Sequence, residues 1–220
     1  MARPTIDVTK VTKAAFDYTV PTYWKDAGGS NIDGGSWWDS TATANGSSFW
    51  ASQTISAIQQ YNFNVTALFQ AIYDNPNWCS AVILGATGSG ISQFVGKTGT
   101  SGQRPLINYD GGSDQSITDE VAIGDPYGAG SIANAANQYV DPDLGTSVSQ
   151  WTRWIIVVPP PVTRPTSATL KLWSSYAGGP TVGVMWLRYP PESAPTLGST
   201  VYEFASFNRG VGRGIARGIA

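Results

Sequence analysis

Hydrophobic and polar positions alternate in short runs along most of the chain, and few stretches carry the three-to-four-residue period of a helix. Residues 5–9 (Thr-Ile-Asp-Val-Thr) predict a half-buried strand, and Phe16, Tyr18 and Val20 give residues 14–20 a single apolar face. Residues 24–52 are rich in Gly, Ser and Asn and read as long loops holding Trp24, Trp37, Trp38 and Trp50. Residues 61–65 (Tyr-Asn-Phe-Asn-Val) alternate cleanly. Thr66 then opens the one convincing helix, reaching about residue 73, with Thr66 as N-cap and Leu68, Phe69 and Ile72 on one face. Asp74-Asn75-Pro76-Asn77 ends it. Residues 78–84 predict a buried strand, residues 85–90 a hairpin turn, and residues 91–95 and 105–109 two further strands.

Asp110-Gly111-Gly112-Ser113-Asp114 breaks the chain near its middle, as a linker or a wide loop. Residues 125–150 are Gly-, Ala- and Asn-rich and read as irregular. Residues 151–158 are a strong strand that stops at Pro159-Pro160-Pro161. Residues 168–174 alternate around Leu170 and Leu172. Gly178-Gly179-Pro180 predicts a turn into a returning strand at 181–189, with Val182, Val184 and Trp186 on one side, and residues 201–207 give a last strand. Roughly ten short strands separated by turn signals predict an all-β, jelly-roll-like β-sandwich with one short helix and long Trp- and Gly-rich loops. Residues 1–207 form this domain, as one unit or as halves 1–110 and 111–207, and residues 208–220 follow as an arm.

That arm carries a strict four-residue repeat, Arg-Gly-Val-Gly, Arg-Gly-Ile-Ala, Arg-Gly-Ile-Ala. Arg209, Arg213 and Arg217 fall in register, as do Val211, Ile215 and Ile219. On a helix each set would form one stripe. The glycines cost roughly 1 kcal/mol each relative to alanine in a helix, so the segment is expected to order only against a partner. It is either an anchoring arm, with Arg for acidic groups and Ile for a pocket, or a frayed tail.

Composition narrows the function. Only 13% of the 220 residues are charged and the net charge is −2, so no basic field exists to hold nucleic acid. The longest apolar run, Trp154–Val158, is too short to span a bilayer, and the N-terminus predicts no secretory signal. Asn45-Gly46-Ser47 and Asn64-Val65-Thr66 match the glycosylation pattern by chance on that reading. Cys79 is the lone cysteine and is expected in the core.

The chain has no histidine, which removes the commonest general base, the Ser-His-Asp triad and the usual zinc ligand. The densest acidic group is Asp119, Glu120, Asp125, Asp141 and Asp143, of the kind that is solvated or holds a structural Ca²⁺ more often than it catalyses. The Gly-rich run at 85–90 lacks the Gly-Lys-Ser/Thr ending of a phosphate loop, and Lys97-Thr98-Gly99 has no Ser-x-x-Lys partner. No enzyme activity, cofactor or metal is expected. Of the nine tryptophans, Trp151, Trp154, Trp173 and Trp186 in strands are expected to fill the core. Trp24, Trp37, Trp38 and Trp50 either do the same or present indole faces to a glycan or an interface.

Two segments carry a family resemblance. One runs Tyr61-Asn62-Phe63-Asn64-Val65-Thr66-Ala67-Leu68-Phe69-Gln70, then Asn75-Pro76-Asn77, the strand Ala81-Val82-Ile83-Leu84, and Arg104-Pro105-Leu106-Ile107-Asn108-Tyr109. The other runs Ser167-Ala168-Thr169-Leu170-Lys171-Leu172-Trp173 and then Val182-Gly183-Val184-Met185-Trp186. These resemble the closing and opening patterns of DNRLRE-type jelly-roll modules, found in surface-attached and carbohydrate-associated proteins. The order is reversed here, as in a circularly permuted jelly roll or two degenerate sandwiches. The resemblance implies the fold, and no binding residue is carried over from it.

Together these features lead to the expectation of a structural protein of a virion surface, made in the host cytoplasm. A phage capsid decoration or cement protein is the expected type: a homotrimer that binds a capsid or other virion protein through surface contacts and the arm. The alternative is a carbohydrate-binding module or fibre component that uses the loop tryptophans on a glycan. Neither nucleic acid nor a membrane is an expected partner.

Overall fold

The computed structural model describes residues 3–6, 8, 24–25, 31–32, 37–38, 48–88, 90–124, 131–133, 135–140 and 152–187. In chain order the elements are β1 (Trp24–Lys25), β2 (Asn31–Ile32), β3 (Trp37–Trp38), β4 (Ala51–Thr54), β5 (Gln60–Asn64), α1 (Thr66–Asp74), β6 (Ala81–Thr87), β7 (Ser92–Val95), β8 (Leu106–Tyr109), β9 (Gln115–Ser116), β10 (Asp119–Gly124), β11 (Ser131–Ala133), β12 (Asn137–Val140), β13 (Thr152–Val157), β14 (Ala168–Ala177) and β15 (Thr181–Leu187). Apart from the small β1–β2 pair they make two antiparallel sheets, and the protein is an all-β sandwich, with one short helix among the described residues. The seven-stranded sheet runs β11-β10-β13-β6-β15-β3, with β4 also on β15. The six-stranded sheet runs β12-β7-β14-β8-β9, with β5 also on β14.

Strands from before and after the break at 110–114 interleave in both sheets. β6 pairs with β13 on one side and β15 on the other, and β14 pairs with β5, β7 and β8. The break itself is the loop that joins β8 to β9 within one sheet, with Gly112 N–H donating to Tyr109 O at 2.9 Å.

The two sheets bury different patterns. In β5 the exposed–buried alternation is complete, with Tyr61 and Phe63 inward. In β6, β13 and β15 both faces are covered. Val82, Leu84, Trp154, Ile156, Val182, Val184 and Trp186 join the core between the sheets. Ala81, Ile83, Ile155, Met185 and Leu187 form a second cluster with Val8, Cys79 and Val121, against which Ile6 and Phe49 pack. A strand buried on both faces reads as a continuous apolar run, as residues 81–84 and 154–158 do.

The helix follows from β5. Val65 N–H donates to Ala168 O at 2.9 Å, and the chain then turns so that Leu68, Phe69, Ala71 and Ile72 face the core. Thr66 is not the N-cap expected from the sequence. Val65 holds that position, and the Thr66 hydroxyl instead accepts from Ala168 N–H at 2.9 Å and donates to Asn64 Oδ1 at 2.7 Å. Its hydroxyl is taken up by the join between the helix and β14. At the other end Arg3 Nη1 donates to Ile72 O, Asn75 O and Trp78 O at 2.7–2.8 Å, a cation on the carbonyls where the helix dipole is negative.

Other expectations change. Residues 3–6 and 8 are not a strand, although Ile6 and Val8 do pack on the second cluster. Residues 125–150 are not wholly irregular, since β11 and β12 lie there. Neither predicted turn makes a hairpin. β6 continues to Thr87, and its two edges are already occupied by β13 and β15, so the chain passes to β7 in the other sheet. Residues 178–180 likewise carry β14 across to β15. The two crossings touch backbone to backbone. A Cβ on Gly178 would lie 2.0 Å from Ile91 O, and one on Gly90 would lie 2.2 Å from Gly178 O. Residues 14–20 and 201–207 lie outside the described residues.

Candidate functional site

The strongest candidate for chemistry is Glu120, which is fully buried on β10. Its Oε1 accepts from Lys97 N–H at 2.7 Å and Gln138 Nε2 at 3.2 Å, and its Oε2 accepts from Trp154 Nε1 at 3.1 Å. The carboxyl therefore joins β10 and β13 of one sheet to β12 and the loop after β7 of the other. Gly96 makes room for it, since a Cβ there would lie 2.7 Å from Oε1. Burial pushes the Glu120 carboxyl above its ordinary pKa, while the hydrogen bonds from Lys97, Gln138 and Trp154 oppose the shift.

Adjacent residues on a strand point to opposite faces, so Asp119 does not share this site with Glu120. Asp119 Oδ1 accepts from Glu120 N–H at 2.9 Å and lies 3.7 Å from Lys97 Nζ, which also donates to Thr118 O. Asp125, Asp141 and Asp143 lie outside the described residues. Among the described residues no group of three or more His, Cys, Asp or Glu side chains could hold a metal ion. Through its three hydrogen bonds Glu120 ties the two sheets together.

A different arrangement occupies the outer face of the six-stranded sheet. An open groove of about 790 Å³ is lined there by Asn62, Asn108, Thr169, Lys171 and the loop from Gly111 to Asp114. Lys171 Nζ donates to both oxygens of Asp114 at 2.8 and 2.9 Å, and Asn108 Nδ2 donates to Asp114 Oδ1 at 2.8 Å. These bonds hold the Asp114 carboxyl below the usual carboxylate range. The groove is polar, and its one ion pair cancels its own charge.

The groove is held in shape from one end. Asp110, at φ 54°, accepts from Thr166 N–H (2.6 Å), Thr166 Oγ1 (2.7 Å) and Ser167 N–H (2.8 Å). Those bonds lower its pKa, the Thr166 hydroxyl first among them, and pin the loop 110–114 against the start of β14. Beyond Lys171 on the same face stands Trp173, paired with Gln60 of β5. It is half-buried, unlike Trp154 and Trp186, which fill the core as expected. Trp173 is therefore not a core residue. It is out of phase with Leu170 and Leu172, which point inward, and that alternation was the available signal.

Of the residues singled out in the sequence, Trp50 is half-buried against the core between the sheets, and its N–H donates to Val184 O at 2.9 Å. The backbones of Trp24, Trp37 and Trp38 lie in β1 and β3. Their side chains, Trp151 and the whole arm, with Arg209, Val211, Arg213, Ile215, Arg217 and Ile219, lie outside the described residues. Cys79 is buried as expected, its thiol donating to Leu187 O at 3.3 Å. Among the described residues no helix is long and apolar enough to cross a membrane. No protein-family model, curated protein or solved structure matches the chain.

Proposed function

We propose that this protein works by binding rather than by catalysis, as a structural component of a virion surface of the capsid-decoration type. The observation that carries the first half is the contrast between its two polar sites. The buried carboxyl, Glu120, is enclosed by three donors that hold the sheets together, whereas the open groove carries amides and a self-neutralised ion pair. A two-sheet body with such a surface suits adhesion to a partner. The virion setting is supported by the sequence: low charge, no histidine, and a register-keeping arm suited to an acidic and apolar partner surface. A homotrimer seated on a capsid protein is the assembly this reading favours.

Co-sedimentation tests it. The full chain and a form lacking residues 208–220 are each mixed with purified particles of the virus that encodes the protein and spun through sucrose. The full chain is expected to travel with the particles and the shortened one to stay behind, still folded. A full chain that stays behind, or a shortened one that travels equally well, contradicts the proposal.

A further inference from the structure

We infer that the outer face of the six-stranded sheet is a binding site for a neutral glycan, built on Trp173, Tyr176 and the groove around Lys171 and Asp114. This goes beyond the virion reading and does not use the arm.

The register of β14 carries the inference. Thr169, Lys171 and Trp173 alternate outward while Leu170 and Leu172 point to the core. Ser174 follows inward, fully buried opposite Phe94. An unbroken strand would send Tyr176 inward too, since it shares the parity of Ser174. The register instead shifts between Ser174 and Tyr176, which sets Tyr176 opposite Gln93. Gln93 lies between the buried residues Ser92 and Phe94 and so faces outward, and Tyr176 with it. The result is an aromatic ring left 55% exposed, one of the few large apolar side chains on the described surface. Bulges of this kind commonly re-aim a side chain at a functional site.

The face therefore presents two aromatic rings in line with a polar groove on one strand. Sugars need that combination: an apolar ring face to stack under C–H groups, and donors and acceptors for vicinal hydroxyls. Lys171, Asp114, Asn108 and Asn62 supply both hydrogen-bond senses, and their rotamers are already fixed. Asn108 donates to Asp114 and to Gly112 O, Lys171 bridges the Asp114 oxygens, and the Asn62 carboxamide accepts from Gln60 Nε2 at 2.9 Å. Because Lys171 and Asp114 compensate each other, an uncharged oligosaccharide fits better than an anionic one.

Affinity electrophoresis in native gels containing xylan, galactomannan, hydroxyethyl cellulose or pullulan tests the site on the full chain, with alginate as the anionic comparison. At least one neutral polymer is expected to retard the protein. Trp173→Ala and Tyr176→Ala should each weaken binding roughly tenfold, and Trp173→Phe much less. Asn108→Ala, which keeps both rings, should weaken it as well and guards against a folding defect in the aromatic variants. Circular dichroism checks each fold. No retardation by any neutral polymer, retardation by alginate alone, or retardation unchanged in the Trp173→Ala/Tyr176→Ala double variant overturns the inference. None of these outcomes depends on particle binding, so the two proposals fail separately.

Discussion

Glu120 is a residue at which burial and hydrogen bonding pull in opposite directions. All three of its partners are donors, which favours the carboxylate, while full burial favours the neutral acid, and burial prevails. A folded-state pKa raised above the ordinary value of 4.5 means that the folded protein holds the proton longer than the unfolded chain does. The stability from this group is then fully present below about pH 4.5 and is lost as pH rises through the folded pKa. Gln138 is placed to accommodate the change: its Oε1 has no hydrogen-bond partner, and a half-turn of the amide would offer it to the protonated carboxyl. In urea unfolding, Glu120→Gln should leave one of the three donors facing an amide N–H₂, at a cost of about 1–3 kcal/mol for an unsatisfied buried group. The stability gap between wild type and variant should shrink as pH rises from 4.5. A gap that widens with pH would mean that the ionised form is the stabilised one.

At the scale of elements, α1 depends on contacts that reach it from far along the chain. Arg3 closes its C-terminal carbonyls from sixty-nine residues or more away, and β14 receives its first turn. Arg3→Ala removes charge-assisted bonds that are typically worth about 1.5–3 kcal/mol. For a chain of this size that corresponds to a fall in Tm of about 3–12 °C. An unchanged Tm would show that the arginine adds nothing to the helix end. What was legible at this scale was whatever a strand writes into its own residues. The alternation in β5 and in the first half of β14, the helix face and its stop were all readable. Pairing was not: whether residues 85–90 turn back or cross over depends on the edges of β6 being filled by β13 and β15, which local sequence does not record. Trp173 was readable from the same alternation that placed Leu170 and Leu172 inward. Tyr176 was not, because the bulge that turns it outward arises from pairing with β7.

Among the described residues, the central strands β6, β13 and β15 of the seven-stranded sheet are packed on both faces, whereas the six-stranded sheet carries an open groove on its outer face, the side proposed above to meet a partner. The doubly covered strands are tight. On them Gly183 and Gly85 are register partners, and the Phe49 ring lies where a Gly183 side chain would begin, 2.0 Å from the ideal Cβ. Gly183→Ala should therefore cost about 1–3 kcal/mol through overpacking, read as a lower urea midpoint. The loss should largely disappear in a Phe49→Ala background, and an equal loss there would mean that the ring is not what confines the glycine.

The claim that this sandwich serves as a surface component of a virus particle is most directly tested by quantitative peptide mass spectrometry of particles banded in a density gradient. This chain is expected in the particle band, at a copy number on the scale of the capsid lattice. Its presence only in the soluble fraction of the lysate, with none banding with particles, would contradict it.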